Sequence, residues 1–156
     1  MNRTRNDLSE ATRVKVGALL NARLSDALDL GAQLKVAHWN VKGPGFVALH
    51  ELFDEAHAAV QGYSDDLAER AVQLGCQAFG TARQVARASS LVEYPDVKGE
   101  PAHVAAVADV LAGFGKNVRA AIDQAAGLGD AVTADLFTEV SRGVDKWLWL
   151  VESHLG

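Results

Sequence analysis

The sequence of 156 residues has little of what marks secreted, membrane-spanning or nucleic-acid-coated proteins. A single cysteine, Cys76, excludes an internal disulfide. No stretch approaches the ~18 uninterrupted apolar residues of a spanning helix, and the opening residues lack the apolar run of a secretory signal. Fifteen basic residues against 20 acidic ones give a net charge of −5, which argues against a broadly nucleic-acid-binding surface. We therefore expect a soluble protein of the cytoplasm.

The remaining composition suits one folded domain. Hydrophobic residues make up 49% of the chain, which at this length is enough to bury a substantial core. No internal repeat and no low-complexity tract marks a second unit. We expect a single domain over residues 1–156, with residues 1–8 as a flexible N-terminal tail.

Apolar residues recur at helical spacing along most of the chain, and no segment of useful length has the period of a strand. In the first helix this stripe includes Leu20 and Leu34, and His38 continues it. The pattern predicts four long helices and one short helix. The first runs from about Ser9 to Trp39, the second ends near Gly75, the short one covers about 81–87, the third begins near Pro101, and the fourth follows a turn at 127–130.

Two short connections flank one long connection, at residues 76–100. This order indicates an all-α four-helix bundle whose middle link crosses the length of the bundle, which is the ferritin-like arrangement. The short helix lies in that link, between helices 2 and 3. The apolar stripe of the last helix is predicted to comprise Val132, Leu136, Val140, Val144, Trp147, Val151 and Leu155.

Two pairs of potential metal ligands lie on the second helix, His50 with Asp54 and Asp65 with Glu69. Residues four apart share a helix face, so each pair can chelate. All four positions fall within an arc of roughly 100°, but the pairs are about 16 Å or more apart along the axis. One metal ion cannot bridge that distance. Two antiparallel copies about a two-fold axis would bring opposite pairs together, so the spacing suggests a site between subunits.

A wider pattern surrounds these ligands. It comprises His38-Trp39-Asn40-Val41, Gly43, Phe46, Leu49-His50, Phe53-Asp54, Asp65, Ala68-Glu69-Arg70-Ala71, Tyr94-Pro95, Thr133-Ala134-Asp135 and Asp145-Lys146-Trp147-Leu148-Trp149. From about residue 4 to its end the chain closely resembles the Dps proteins, the ferritin-like miniferritins of prokaryotes. The resemblance implies a hollow dodecamer that oxidises Fe(II) at inter-subunit ferroxidase centres. It also implies a preference for hydrogen peroxide over dioxygen, and storage of the Fe(III) mineral inside the shell.

The resemblance also implies roles for individual residues. His38, His50 and Asp54 would bind iron from one subunit, and Asp65 and Glu69 from its two-fold mate. Trp39 would yield an electron that quenches an oxidising intermediate. Carboxylates favour Fe(III) and imidazole retains Fe(II), although zinc, manganese or cobalt could occupy the same nitrogen and oxygen donors.

Simpler roles remain open for the same residues. His38 could be a core or interface histidine, and Trp39 an interface anchor. Asp65 and Glu69 could form a solvated face, and Asp54 could pair with Lys35 or Lys42. His57 shares the face of His50 but has no place in the family pattern, which favours a structural or peripheral role. Cys76 is expected to be a small buried residue.

The larger ferritins provide a contrast, because their di-iron sites lie inside one bundle and use Glu-x-x-His pairs. The one such pair here is Glu100 with His103, at the start of the third helix. A single pair cannot supply both halves of that site. A centre inside one bundle is therefore not expected.

Iron entry and DNA binding depend on other parts of the chain. Asp130, Asp135 and Glu139 begin the fourth helix, where acidic residues favour the helix dipole; in Dps shells the corresponding region lines acidic three-fold pores. Only Arg3 and Arg5 precede the first helix, so we expect DNA binding to be weak, salt-dependent or absent. The rival reading is a nucleoid-binding or structural shell whose non-redox metal stabilises the dimer.

Overall fold

A computed structural model describes residues 1–155. These residues form five helices and no strand, which confirms the predicted all-α class. In chain order the helices are α1 (Glu10–Asn40), α2 (Phe46–Gln73), α3 (Ala82–Ala88), α4 (Glu100–Gly127) and α5 (Ala131–Glu152). No helix within residues 1–155 is both long enough and apolar enough to cross a membrane.

Local sequence explains where these helices begin and end. Ser9 caps α1, because its hydroxyl oxygen accepts a hydrogen bond from the backbone N–H of Thr12 at 3.1 Å. At the same end of the α1–α2 pair, α2 ends at Gln73, two residues before Gly75, which has φ +82°. That left-handed conformation is open to glycine at little steric cost, so glycine commonly follows the last turn of a helix.

The four long helices pack as two hairpins. Helix α1 lies along α2, and α4 lies along α5; the hairpins then meet through α1 with α4 and α2 with α5. Short α3 packs on α1, within the long connection. The core between the hairpins is filled by large side chains that are fully buried, among them Leu20, Leu34, Phe53, Leu67 and Phe114. The arrangement is a four-helix bundle with one crossing connection.

The predicted apolar stripe of the last helix was wrong at both ends. Val132 is 63% exposed, and Leu155 lies beyond α5 and is 47% exposed. Thr133 and Phe137 are buried instead, one position further along the chain. The register follows from Asp130, which is buried just before α5 and turns Thr133 inward by accepting a hydrogen bond from the Thr133 hydroxyl. The hydrogen bond between Asp130 and Thr133 thus determines which face of α5 is buried, and hydropathy alone predicted the wrong face.

A buried carboxylate in α1 fastens the crossing connection to the bundle. Asp26 is fully buried and accepts hydrogen bonds from the backbone N–H and the hydroxyl of Ser90 at 2.8 and 3.0 Å. Arg23 donates to the same carboxylate at 3.0 Å, and Asn117 of α4 donates at 3.3 Å. Because a buried carboxylate needs such partners, Asp26 holds α1, the connection and α4 together.

A second tether joins the connection to α4. The Tyr94 hydroxyl lies 2.8 Å from Nδ1 of His103, which is only 2% exposed. Burial raises the pKa of Tyr94 to about 12 and lowers the pKa of His103. The pair therefore consists of a protonated phenol and a neutral imidazole, so the phenol can donate its hydrogen bond to Nδ1.

This tether predicts a pH dependence of stability. The pKa of His103 is lower in the folded than in the unfolded chain, so below about pH 6.5 the unfolded chain binds more protons. The contribution of His103 to the free energy of unfolding is complete above that pH and is lost as the pH falls to the pKa that His103 has in the folded chain. We expect His103→Gln, which keeps an acceptor for Tyr94 but does not titrate, to lose less stability on acidification. Guanidinium unfolding of both proteins above about pH 7 and below about pH 6 measures this; equal losses would contradict it.

Candidate metal centre

Two predicted ligands meet where α1 ends and α2 begins. The imidazole rings of His38 and His50 stack with their centroids 3.6 Å apart and their planes 19° from parallel. Nδ1 of His38 lies 2.7 Å from the backbone carbonyl of His50, and Nδ1 of His50 lies 2.8 Å from the carbonyl of His38. Both rings are half-buried. The two histidines thus hold each other through reciprocal contacts across the hairpin.

These contacts determine which nitrogen of each ring is available. A carbonyl oxygen can only accept, so each Nδ1 must carry the proton and donate. In a neutral imidazole the lone pair is then on Nε2, and no hydrogen bond in the described chain engages that atom in either ring. Donation from one ring nitrogen to a backbone carbonyl is the usual way a metal-binding histidine is oriented. The pair therefore presents two oriented nitrogen donors.

Asp54 lies one turn beyond His50 on α2, and its carboxylate already has a cationic partner. Lys35 Nζ of α1 donates to Asp54 Oδ1 at 2.6 Å, as the alternative reading of the sequence allowed. This hydrogen bond is the main cause that holds the pKa of Asp54 below its ordinary value. Asp54 is exposed, and its lowered pKa keeps the carboxylate ionised at neutral pH, the form that binds a hard metal ion. Lys35 therefore contacts one of the two carboxylate oxygens that a cation could use.

Removing that lysine tests whether it competes with a metal ion. We expect Lys35→Met to tighten Co²⁺ binding to the metal-free protein by about two- to fivefold, the range of an exposed ion pair. Absorbance titration at low salt measures the affinity, and the gain should shrink at high salt because of screening. Lys42→Met is the matched control, since Lys42 is exposed and makes no ion pair with Asp54. Weaker or unchanged binding in Lys35→Met would show that Lys35 does not compete.

The second pair of predicted ligands stands apart from the first. Asp65 and Glu69 lie on the exposed surface of α2, further along the helix. Among residues 1–155 of one chain, no three His, Cys, Asp or Glu side chains come close enough to hold a metal ion together. In the described chain His38 and His50 come together, Asp54 does not join them in a three-ligand group, and the acidic pair is open to solvent. That the two halves combine across a two-fold axis stays a prediction.

Trp39, Phe46 and His57 lie close in sequence or space to the two histidines and differ in their contacts. Trp39 is 65% exposed, and Phe46 tilts against the His50 ring with centroids 5.0 Å apart. His57 instead points back to α1, where its Nδ1 lies 2.9 Å from the Gly31 carbonyl and can donate to it. This contact fits the structural role that the sequence favoured, which stays a prediction because His38 and His50 make contacts of the same kind.

The proposed pore residues also divide. Asp130 is only 2% exposed, caps α5 by accepting from the Thr133 N–H at 3.0 Å, and pairs with Arg70 at 3.0 Å. Its carboxylate is neutralised inside the subunit, so the structure replaces the expected pore role of Asp130 with a structural one. Asp135 and Glu139 are exposed, and a pore role for them stays a prediction.

Comparison with known proteins gives matches along almost the whole chain. A family model for the ferritin-like domain, named Ferritin, matches residues 17–156. The chain is 39% identical to a DNA protection during starvation protein of Agrobacterium fabrum over 155 residues, covering 99% of this chain and 96% of that protein. It superimposes on the Dps structure of Mycobacterium smegmatis in its tetragonal form with a TM-score of 0.93 at 34% identity, covering 99% and 94% of the two chains. DpsA14 of Streptomyces coelicolor gives a TM-score of 0.92 at 32% identity, covering 97% and 90%.

Proposed function

Because the chain belongs to the Dps family of ferritin-like proteins, we propose that it is a ferroxidase and an iron store. Its single domain assembles with two-fold mates into a hollow dodecamer. Fe(II) is oxidised at centres shared between subunits, preferably by hydrogen peroxide, and Fe(III) is stored inside. The observation that carries this proposal is the His38–His50 pair, whose two Nε2 atoms have no hydrogen-bond partner in the described chain, with Asp54 one turn beyond His50 on α2.

The donor set suits Fe(II) as a substrate. His38, His50 and Asp54 of one subunit bind the ion, and Asp65 and Glu69 of its mate complete the site. Imidazole nitrogens hold Fe(II), and carboxylates stabilise the harder Fe(III) product. Two Fe(II) ions together supply the two electrons that reduce one hydrogen peroxide molecule, with two protons, to two water molecules. When two Fe(II) ions react with the same peroxide molecule, no hydroxyl radical is released.

We propose that Trp39 donates an electron when peroxide is only partly reduced by iron. When only one electron is available from iron, peroxide leaves an oxidising equivalent near the centre. The adjacent indole of Trp39 is electron-rich and can supply the missing electron. Its 65% exposure within one subunit is equally suited to a role as an anchor between subunits, so both assignments remain with the residue.

Iron reaches the cavity through acidic openings. Asp135 and Glu139 are exposed near the start of α5, and their charges would concentrate cations at a three-fold junction of the shell. Removal of iron and peroxide protects DNA without a tight protein–DNA complex. We place the protein in the cytoplasm, where weak contacts with the nucleoid would add to that protection.

The second candidate function is a nucleoid-binding or structural shell with a non-redox metal at the dimer interface. The nitrogen and oxygen donors described here accept zinc as readily as iron, which is why this candidate remains. In that case the metal would stabilise the dimer and would not turn over.

Stopped-flow oxidation separates the two candidates. Fe(II) is added anaerobically to the purified assembly, hydrogen peroxide follows, and formation of Fe(III) is recorded beside a protein-free control. We expect rapid oxidation that ends in a soluble, protein-bound ferric core, with peroxide consumed at one molecule for every two Fe(II) ions. Oxidation no faster than in buffer would leave the structural shell as the better account.

A further inference from the structure

The first residue of α4 reaches across the bundle to the turn between α1 and α2. Glu100 Oε1 accepts a hydrogen bond from the backbone N–H of Gly45 at 2.6 Å. Gly45 is the cap residue of α2, and the contact joins positions 55 residues apart in the chain. The other member of the Glu-x-x-His pair, His103, contacts Tyr94 instead. Glu100 and His103 therefore do not form a metal site together.

The turn is built to admit this carboxylate. A methyl group on Gly43 would collide with Glu100 Oε2, and one on Gly45 would collide with Oε1. Gly62, in the exposed middle of α2, has nothing within 4 Å of the same position. The two turn glycines thus provide the space that the Glu100 side chain fills.

The carboxylate meets a specific need at the start of α2. The first turn of any helix has backbone N–H groups without partners inside the helix, and the partial positive charge there favours an anion. Gly45 has no side chain with which to cap α2, and no side chain caps it locally. In a capping box a glutamate of the same helix accepts from the N–H of the cap residue. Glu100 makes that bond from a different helix.

The same turn connects the two helices that carry the stacked histidines, His38 on α1 and His50 on α2. Each ring is oriented by the backbone carbonyl of the other residue, at 2.7 and 2.8 Å, so their geometry depends on how the last turn of α1 faces the first turn of α2. Only five residues, 41–45, join those turns. Holding Gly45 therefore holds His50 relative to His38.

We infer that Glu100 is a positioning residue for the metal centre. Its carboxylate caps α2 through Gly45 and thereby keeps both histidine Nε2 atoms directed at the site. As a statement about metal binding and oxidation, the inference rests on the proposed function, and it assigns Glu100 no contact with iron or peroxide.

Hydrogen–deuterium exchange of the metal-free assembly tests the positioning without any chemistry at iron. We expect Glu100→Ala to speed exchange of the amides at 45–50 by about tenfold or more, while the middle of α4 is unchanged. Glu100→Gln keeps an acceptor oxygen, so it should retain most of the protection, although a neutral bond is weaker. Asp123→Asn, which removes an exposed carboxylate from the same helix, should behave as wild type.

Metal binding and kinetics give the second readout. Loss of a residue that orients ligands typically weakens metal binding or activity by about 10–100-fold. We expect Glu100→Ala to raise the Co²⁺ dissociation constant and the Fe(II) half-saturation concentration by about tenfold, with the maximal rate within about twofold. Unchanged exchange at 45–50 together with unchanged Co²⁺ binding would overturn the inference.

A double-variant cycle distinguishes loss of the Gly45–Glu100 contact from general destabilisation of the protein. Gly45→Ala should reproduce the weaker Co²⁺ binding by displacing the carboxylate, but should add little once Glu100 is alanine, because the collision is gone. Gly62→Ala is the control and should change neither readout. Additive effects of Gly45→Ala and Glu100→Ala would show that Gly45 does not act through the Glu100 carboxylate. If wild type fails to oxidise Fe(II) while exchange and Co²⁺ binding respond as described, the proposed function fails and the positioning role stands.

Discussion

The double variant His50→Ala/Asp54→Ala is expected to oxidise Fe(II) at least about 100-fold more slowly than wild type with hydrogen peroxide. Changes in residues that merely orient ligands already lower metal affinity or activity by about 10–100-fold, so removal of two ligands should exceed that range. The Asp65 and Glu69 carboxylates of the mate would remain, but they lack the imidazole nitrogens that hold Fe(II). Stopped-flow recording of Fe(III) formation after anaerobic loading measures the rate.

A matched control uses the same stretch of α2. Glu51 and Glu55 are exposed and each follows one of the proposed ligands, so Glu51→Ala/Glu55→Ala removes two charges without removing a ligand. This control should oxidise Fe(II) within about twofold of wild type. Circular dichroism should show the same helix content in all three proteins. If the double variant of His50 and Asp54 retained the wild-type rate, Fe(II) would be oxidised at a site other than the one proposed.

The second large effect concerns stability. Arg70→Ala is expected to lower the free energy of unfolding by about 3–5 kcal/mol, because it leaves a buried carboxylate without its cation. Arg70 Nη2 lies 3.0 and 3.1 Å from the two oxygens of Asp130, and its Nε donates to the Thr133 hydroxyl at 3.0 Å. The side chains are only 12% and 2% exposed. The pair joins the end of α2 to the start of α5.

Electrostatics at Asp130 support the same conclusion. Burial alone would raise the pKa of Asp130, but hydrogen bonds from Thr133 and the Arg70 charge outweigh it and lower the pKa. A lowered pKa stabilises the fold above the ordinary aspartate value, and the contribution is lost as pH falls through the folded-state value. The effect of Arg70→Ala should therefore be larger at neutral pH than in strong acid.

An exposed ion pair provides the control for this prediction. Arg119 Nη1 lies 2.8 Å from Asp145 Oδ1, but the two side chains are 49% and 51% exposed. Arg119→Ala should therefore lower stability by less than about 1 kcal/mol. Guanidinium unfolding of both variants at one fixed subunit concentration makes the comparison, because assembly links stability to concentration. Equal losses would mean that Asp130 finds another partner or is solvated.

Much of the fold could be predicted from the sequence because hydrophobic spacing reports local geometry. The helix that carries His50 and Asp54, the turn after Asn40 and the long crossing connection all follow from periodicity and breakers. The sequence did not predict that Val132 is exposed and Thr133 buried, because the inward face of α5 is set by Asp130 and Arg70. These two residues are 60 positions apart, and spacing along the chain has no signal for such a pair.

The candidate site was predictable to a similar extent. Residue types and four-residue spacing predict the His50–Asp54 and Asp65–Glu69 pairs, and the family pattern adds His38; of these five residues, one chain brings only His38 and His50 into contact. The available ring nitrogen depends on carbonyl contacts that only a folded hairpin provides. The competing Lys35 could be anticipated as an alternative, whereas the Glu100 contact could not, since it depends on how α4 meets the turn.

The central claim is that each centre is shared between two chains, and mixing of variant subunits tests it most directly. One variant, His50→Ala/Asp54→Ala, lacks ligands of one half, and the other, Asp65→Asn/Glu69→Gln, lacks the opposite half. In a mixed two-fold dimer one centre collects both defects and the other is intact, so equal random mixing restores about a quarter of the wild-type centres. We predict that co-expressed assemblies regain about a quarter of the wild-type oxidation rate while each variant alone stays near the buffer rate. Mixed assemblies no faster than the separate variants would contradict the shared centre.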